Sequence, residues 1–568
     1  MLPPKFNAFM FAAFVGAACV GNVSAQVTLP EVVETAQIST DAFSTGTLEV
    51  GEGALSPDIW TDTRAETLEF LLDHMPTRPG NPSLGAALKR VLLTPGTAPS
   101  EAAPSLGGKK LLALARAGLT EEAKTIASLS TNGRGDPWVE QAEAIIDLLN
   151  NDIASACRRN ANLSTGRDGL FWVRLRVLCY AQAGERDAAD LTFGILRDQG
   201  SLDDADAAYL GAVATGNPLA DAAPIEDALQ LAIASSFDLD ISLQHLAHAD
   251  AGVLAAVAGA ERYAQALRIG AAQQAIAMGA MNISRLSGLM SAVEFDLTAI
   301  GAATETANAQ PNDPMTDALL YQSVKTMSAP EFLRDKARRI ALALNLADSF
   351  PRAYALSLLY ADDIAALEGV LLAPDEASSF ALARMAVGDS VGAGEWLSAM
   401  IGVNESVSAL PAEQAIAFVA RLELLALLDP QTASRIAGAA DISILTNAKT
   451  RSSSQRAHHD PAVTAQILDA AFDAAYGNKT GQAALAALAA SSGAADGSQV
   501  ETVIVAQSLR SAGMTELQRR YEFENAWSAT YATPQMRASA DAGSPGQSND
   551  IADDEGGFAP RLKPRSSQ

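Results

Sequence analysis

The chain has 568 residues, 48% of them hydrophobic but only 5% aromatic, and a formal net charge of -26 at pH 7. That length exceeds one compact core, and an alanine-rich composition without long β-branched alternating runs excludes a predominantly sheet protein. The acidic balance excludes a protein that wraps nucleic acid, which needs clustered Lys and Arg against phosphates, and it disfavours anionic membrane surfaces.

Residues 1–25 read as an export signal: Lys5 is a small basic start, Phe6 to Val20 an apolar run short for a membrane span, and Val23-Ser24-Ala25 a small-residue cleavage site. Cleavage before Gln26 removes Lys5 and no acid, so -26 becomes -27. It places the mature chain in an oxidising compartment, the periplasm. Cys19 offers an alternative, lipidated start, although Gly16 stands where such sites carry leucine. No later segment is an unbroken apolar run of spanning length; Gly252 to Met281 is interrupted by Glu261, Arg262 and Arg268.

Residues 26–62, rich in Thr, Ser, Gly and Glu, form an extended leader expected to be disordered. Helical periodicity begins near Thr63 and opens an array over 63–446, with Leu68, Leu71 and Leu72 on one face and Leu84 to Leu93 following. After the Pro-rich link Thr94 to Pro104, a repeat sets in. Gly118, Asn151, Gly184 and Asn217 stand 33 residues apart, and alanine follows each five residues later, at Ala123, Ala156, Ala189 and Ala222. A turn former between two apolar helices, with a small residue where the helices cross, predicts stacked helical hairpins. Thr120 reads as an N-cap. Cys157 lies six residues after one turn and Cys179 five before the next, so their sulfurs fall at similar height on adjacent antiparallel helices and a disulfide enclosing 21 residues is expected.

The strict period fades after Asn217, but helical stretches continue over Leu254 to Ala275, Asp317 to Met327, Glu331 to Ala347, Glu376 to Val387, Gly392 to Met400 and Leu410 to Leu428. The turn signature returns at Gly388 with Ala393. A basic polar loop over 447–460 interrupts the array, and Asp460-Pro461 starts C-terminal helices over 461–530. Residues 531–568, acidic and rich in Gly, Ser and Pro, are expected to be a disordered tail.

Trp172, Leu175, Tyr180, Gly184 and Ala188 together resemble a tetratricopeptide repeat. Arg176 stands where that family prefers glycine, and the period is one short of its usual 34. The whole chain also resembles a family of exported alphaproteobacterial proteins of undefined function that combine a signal peptide, a leader with a tryptophan such as Trp60 and an alanine-rich helical array. Both resemblances imply protein–protein interaction, and neither transfers a catalytic residue.

Several groups have residue types that can carry chemistry. Gly388-Asp389-Ser390-Val391-Gly392 satisfies G-x-S-x-G, but that serine needs a strand entering a tight turn, and the preceding residues read as helix. His245 and His248, with Asp250, have metal-ligand residue types on one helical face, yet a solvated helix end accounts for them. Lys449, Arg451, Arg456, His458 and His459 concentrate basic charge in one loop, a candidate site for a partner or an anion. Arg134-Gly135-Asp136 reads as an inter-repeat turn. Glu405-Ser406 echoes the soluble lytic transglycosylases, exported α-superhelices with a catalytic glutamate before serine, but that family's downstream glycine and glutamine motif is missing.

The resulting expectation is an all-α, superhelical solenoid of stacked hairpins with no cofactor and no metal. It would act as a periplasmic scaffold binding another cell-envelope protein. An envelope enzyme such as a superhelical murein hydrolase, or a lipid-anchored outer-membrane assembly factor, is the alternative.

Overall fold

The computed structural model describes residues 41–99, 105–130, 135–367, 369–401, 406–440, 442, 461–495 and 499–531. Among them the chain is all-helical, with 27 α-helices packed in neighbouring pairs and no strand. The pair α1 (Ala65–Asp73) and α2 (Pro82–Leu93) precedes three hairpins: α3 (Ser105–Arg116) with α4 (Thr120–Leu129), α5 (Pro137–Leu149) with α6 (Ile153–Asn162), and α7 (Leu170–Gln182) with α8 (Arg186–Asp198). The middle section holds α9 (Asp204–Thr215), α10 (Ala228–Ser236), α11 (Ala251–Gly259), α12 (Gln265–Ala277), α13 (Ile283–Ser291), α14 (Leu297–Gly301), α15 (Ala303–Ala309) and α16 (Pro314–Lys325). Then come α17 (Leu333–Asn345), α18 (Phe350–Leu359), α19 (Ala361–Ala365), α20 (Pro374–Ala386), α21 (Ser390–Ile401), α22 (Ala412–Leu428) and α23 (Pro430–Ala439). The last four are α24 (Pro461–Gly477), α25 (Thr480–Ala495), α26 (Gln499–Ser511) and α27 (Thr515–Ser528).

The hairpin turns share one backbone device. Gly118, Asn151 and Gly184 take left-handed φ values of 84°, 61° and 80°. The next amide in each turn reaches back to a carbonyl five residues earlier: Leu119 to Leu114 at 2.9 Å, Asp152 to Asp147 at 2.8 Å and Glu185 to Tyr180 at 2.8 Å. This closes the first helix with a Schellman-type bond and aims the chain into the second. Ala123, Ala156 and Ala189 are then buried, where a larger side chain would hold the two helices apart. At the fourth step the left-handed residue is Gly216 rather than Asn217, and no helix starts until Ala228, which leaves Ala222 in a half-buried loop. Gly388 restores the device, with Asp389 bonded back to Arg384 at 2.9 Å and Ala393 buried.

Some local expectations shift. Leu119, not Thr120, is the N-cap of α4; side-chain caps come instead from aspartates, among them Asp136, Asp152 and Asp203. The stretch Leu254 to Ala275 is two helices, because exposed Glu261 and Arg262 turn outward between α11 and α12.

Contacts distant in sequence complete the fold. α10 packs on α5, α12 on α18, and the first helices meet the last, α1 and α2 against α25 and α2 against α27. Helix α25 lies at the centre of that junction: every residue from Ala483 to Ala490 is at most 1% exposed, as befits a helix apolar on all sides. Residues 41–62 contain no α-helix, in keeping with a leader, but they are held in place. Phe43 and Trp60 are buried with ring centroids 5.2 Å apart, and the Lys110 ammonium donates to the Phe43 carbonyl at 2.9 Å and the Thr45 carbonyl at 2.5 Å. The Gly481 amide donates to the Ile59 carbonyl at 3.1 Å, and a Cβ on Gly481 would lie 2.5 Å from that oxygen. Glycine therefore permits the strap to cross α25.

Several buried and part-buried charges on this framework are paired. Asp317, fully buried on α16, accepts from Arg352 on α18 at 2.7 and 2.9 Å and from Gln273 on α12 at 2.7 Å. Arg174 is held between Asp206 and Asp227, the latter at 2.9 Å. Arg159 meets Glu143, Glu140 at 3.1 Å and Asp147 at 2.8 Å.

Candidate binding pocket

Where α17, α18, α20, α22 and α27 converge, the helices line a half-open pocket of about 210 Å³. Its interior side is apolar and hydroxylic, with Ala353 and Ser357 from α18 and Ser379 and Leu382 from α20, all buried. Exposed Asn345 and Thr530 stand at the outer side. Trp527 forms one wall and is fixed by packing, with Phe350 edge-on at 5.1 Å and Phe523 at 5.6 Å. Its indole N–H is buried and makes no well-aligned hydrogen bond, the Tyr531 side chain being the polar group that interacts with it. The Ser379 hydroxyl donates to Asn345 Oδ1 at 2.6 Å, which orients that amide at the rim.

Arg421 supplies the charge. It enters from α22, whose sequence around it, Ala-Phe-Val-Ala-Arg-Leu, is otherwise apolar. Only a long contact from Nε to Ser378 Oγ, at 3.4 Å, engages it among the described residues, and no carboxylate pairs with it there. Burial pulls its guanidinium below the usual arginine range, partly countered by Tyr531. Burial likewise pushes the Tyr531 phenol up, with Trp527 and Arg421 opposing and Asp348 adding to the rise. Asp348 itself lies 3.6 Å from Arg352. A part-buried guanidinium with no carboxylate beside it among the described residues is suited to receive an anion.

A second cavity, of about 370 Å³, opens on the hairpin α5–α6 and is lined by Glu140, Ser155, Arg158, Arg159 and Asn162. Three carboxylates already neutralise Arg159, and Arg158 donates to Ser155 Oγ at 2.6 Å. Both guanidinium groups of this cavity are therefore already engaged.

The residues singled out from sequence fall as follows. Cys157 on α6 and Cys179 on α7 are disulfide-bonded with Cα atoms 5.4 Å apart, joining one hairpin to the next. Ser390 sits at the start of α21 and donates to Asp429 Oδ2 at 3.0 Å; helix, not strand, precedes its turn, so the nucleophile geometry does not arise. His245 lies in a turn rather than on a helix, its Nδ1 accepting from the Ser242 amide at 3.1 Å. Asp250 faces Arg116 at 3.3 Å, and among the described residues no three His, Cys, Asp or Glu gather as metal ligands. Asp136 caps α5. Lys449, Arg451, Arg456, His458, His459, Arg134, Glu405 and Cys19 lie outside the described residues, as do the export signal and 532–568. Arg421 belongs to no motif, and its one signal in the sequence is a lone arginine within the apolar stretch 415–422.

No family model matches the chain, and no curated protein or solved structure shows significant similarity to it. Among the described residues the fold defines a class, an all-α array of helical hairpins. No described helix is long and apolar enough to cross a membrane.

Proposed function

We propose that the protein is an exported, non-catalytic scaffold of the cell envelope, a tetratricopeptide-like array that holds or positions a protein partner. The observation carrying this reading is the in-register stack of hairpins α3–α8, which lays out helix faces at regular intervals, as repeat proteins do for binding. On that stack Leu191 is 67% exposed and Ile195 48%, one turn apart on the outer side of α8. The paired cysteines and the signal-like start favour a periplasmic setting, and the acidic charge disfavours nucleic acid as the partner.

Site-specific photocrosslinking in the native envelope tests the reading. A photoreactive residue at position 191 should yield one defined protein adduct that Ile195→Asp abolishes, while a probe at exposed Arg262 yields none. Absence of a position-dependent adduct would defeat it, as would hydrolysis of murein or ester substrates by the purified protein that Ser390→Ala or Glu405→Ala removes. An amino terminus at Gln26 is expected; an acylated Cys19 would instead favour the lipid-anchored alternative.

A further inference from the structure

We propose that the pocket between α18, α20, α22 and α27 binds a small organic carboxylate, with Arg421 as its anchoring cation. This inference is independent of the scaffold reading. Arg421 is part-buried, and withdrawing a guanidinium from water without a counter-charge opposes folding; elsewhere the protein meets that cost by pairing, as at Arg159, Arg174 and Arg352. At Arg421 the described chain brings no carboxylate, yet it places a cavity of about 210 Å³ beside it. Trp527, whose buried indole N–H makes no well-aligned hydrogen bond, lines the same space beside Tyr531. An anion in that cavity would supply the counter-charge that the described residues do not give Arg421.

The chemistry narrows the ligand. One guanidinium balances one charge and offers a planar fork that matches a carboxylate in bidentate fashion. Ser379 adds a hydroxyl, and Leu382, Ala353 and the Trp527 ring give an apolar surface for a short aliphatic body. The volume lies below the range of drug-sized sites, roughly 300–1,000 Å³, so the occupant is a small acid or one terminal residue of a chain.

Isothermal titration of the full mature protein with 4-methylpentanoate, with 4-methylpentanamide, and with a short leucine-ending peptide in free and amidated forms tests the assignment. Acid should bind and amide should not. Binding of the free-ended peptide as well identifies a chain terminus as an accepted source, whereas binding of 4-methylpentanoate alone identifies a free small acid; either supports the carboxylate assignment. Arg421→Gln should weaken the acid roughly 10- to 100-fold, the span expected when a charged hydrogen-bonding partner is lost, and Arg421→Lys by less. Thr530→Trp leaves Arg421 in place and covers the exposed side of the pocket, so it should also abolish binding even if Arg421→Gln fails to fold. Equal binding of acid and amide, no binding of any acid, or unaltered binding by a folded Arg421→Gln protein would overturn the proposal.

Discussion

Replacing Asp317 with alanine removes the acceptor for both Arg352 nitrogens and for Gln273 and leaves a guanidinium only 6% exposed. Its remaining partners are the Leu346 carbonyl at 3.1 Å and the half-exposed Asp348 at 3.6 Å, neither of which reproduces the bidentate contact. Breaking such a pair from one side costs ~3–5 kcal/mol, mostly the penalty of an uncompensated buried charge. At ~2.1 cal/mol/K of unfolding entropy per residue, about 490 residues give ~1 kcal/mol/K, so a globally cooperative array should lose ~3–5 °C in Tm. If α12–α18 opens as its own unit of about 90 residues, the same energy falls on a smaller entropy and a separate transition appears ~15 °C or more below the main one. Differential scanning calorimetry distinguishes these outcomes. The double variant Asp317→Leu with Arg352→Met should recover most of the loss, since apolar replacement of a buried ion pair is often neutral. A single variant within ~1 kcal/mol of the parent, or a double variant worse than the single, would refute the reasoning.

Other perturbations probe separate joints. Cys157→Ser with Cys179→Ser should lower stability by ~3 kcal/mol in denaturant titration, matching the effect of reductant on the parent, and the oxidised, denatured parent should show no free thiol at these positions. Burial raises the Glu524 carboxyl to about 7, where it accepts from the Ser83 amide at 2.9 Å across the α2–α27 contact. Because the folded value exceeds the unfolded one, its contribution is full below about pH 4.5 and is lost as pH rises through 7; Glu524→Gln should flatten that decline in urea titrations at pH 5 and 8. Lys110 is the mirror case, lowered by burial to about 7, so the unfolded chain holds a proton the folded one lacks between pH 7 and 10.5. Stability should rise across that window, and Lys110→Met should remove the rise.

The sequence exposed what local chemistry encodes. Left-handed Gly and Asn at a fixed period, with alanine five residues on, are enough to predict three hairpins, and their register is enough to bring Cys157 beside Cys179. Asn217 misled because the left-handed position had moved to Gly216, and only the absent helix over 217–227 shows the change. The packing of α12 on α18 and of α2 on α27 has no periodic signature, since it depends on the summed geometry of every intervening turn. The pocket was illegible for the same reason: its walls come from five helices, and Arg421 is unusual only once its described neighbours are known to lack a carboxylate.

An open repeat array tolerates duplication or loss of a unit, because each unit answers only to the ones beside it. Here the Ile59–Gly481 and Ser83–Glu524 bonds tie the beginning of the described chain to its end. Inserting one more hairpin would displace these partners by a whole repeat, so the number of units is a fixed property of this protein. By the same token, a break in any surface turn with the old ends linked should leave the molecule intact, whereas trimming either extremity should loosen both.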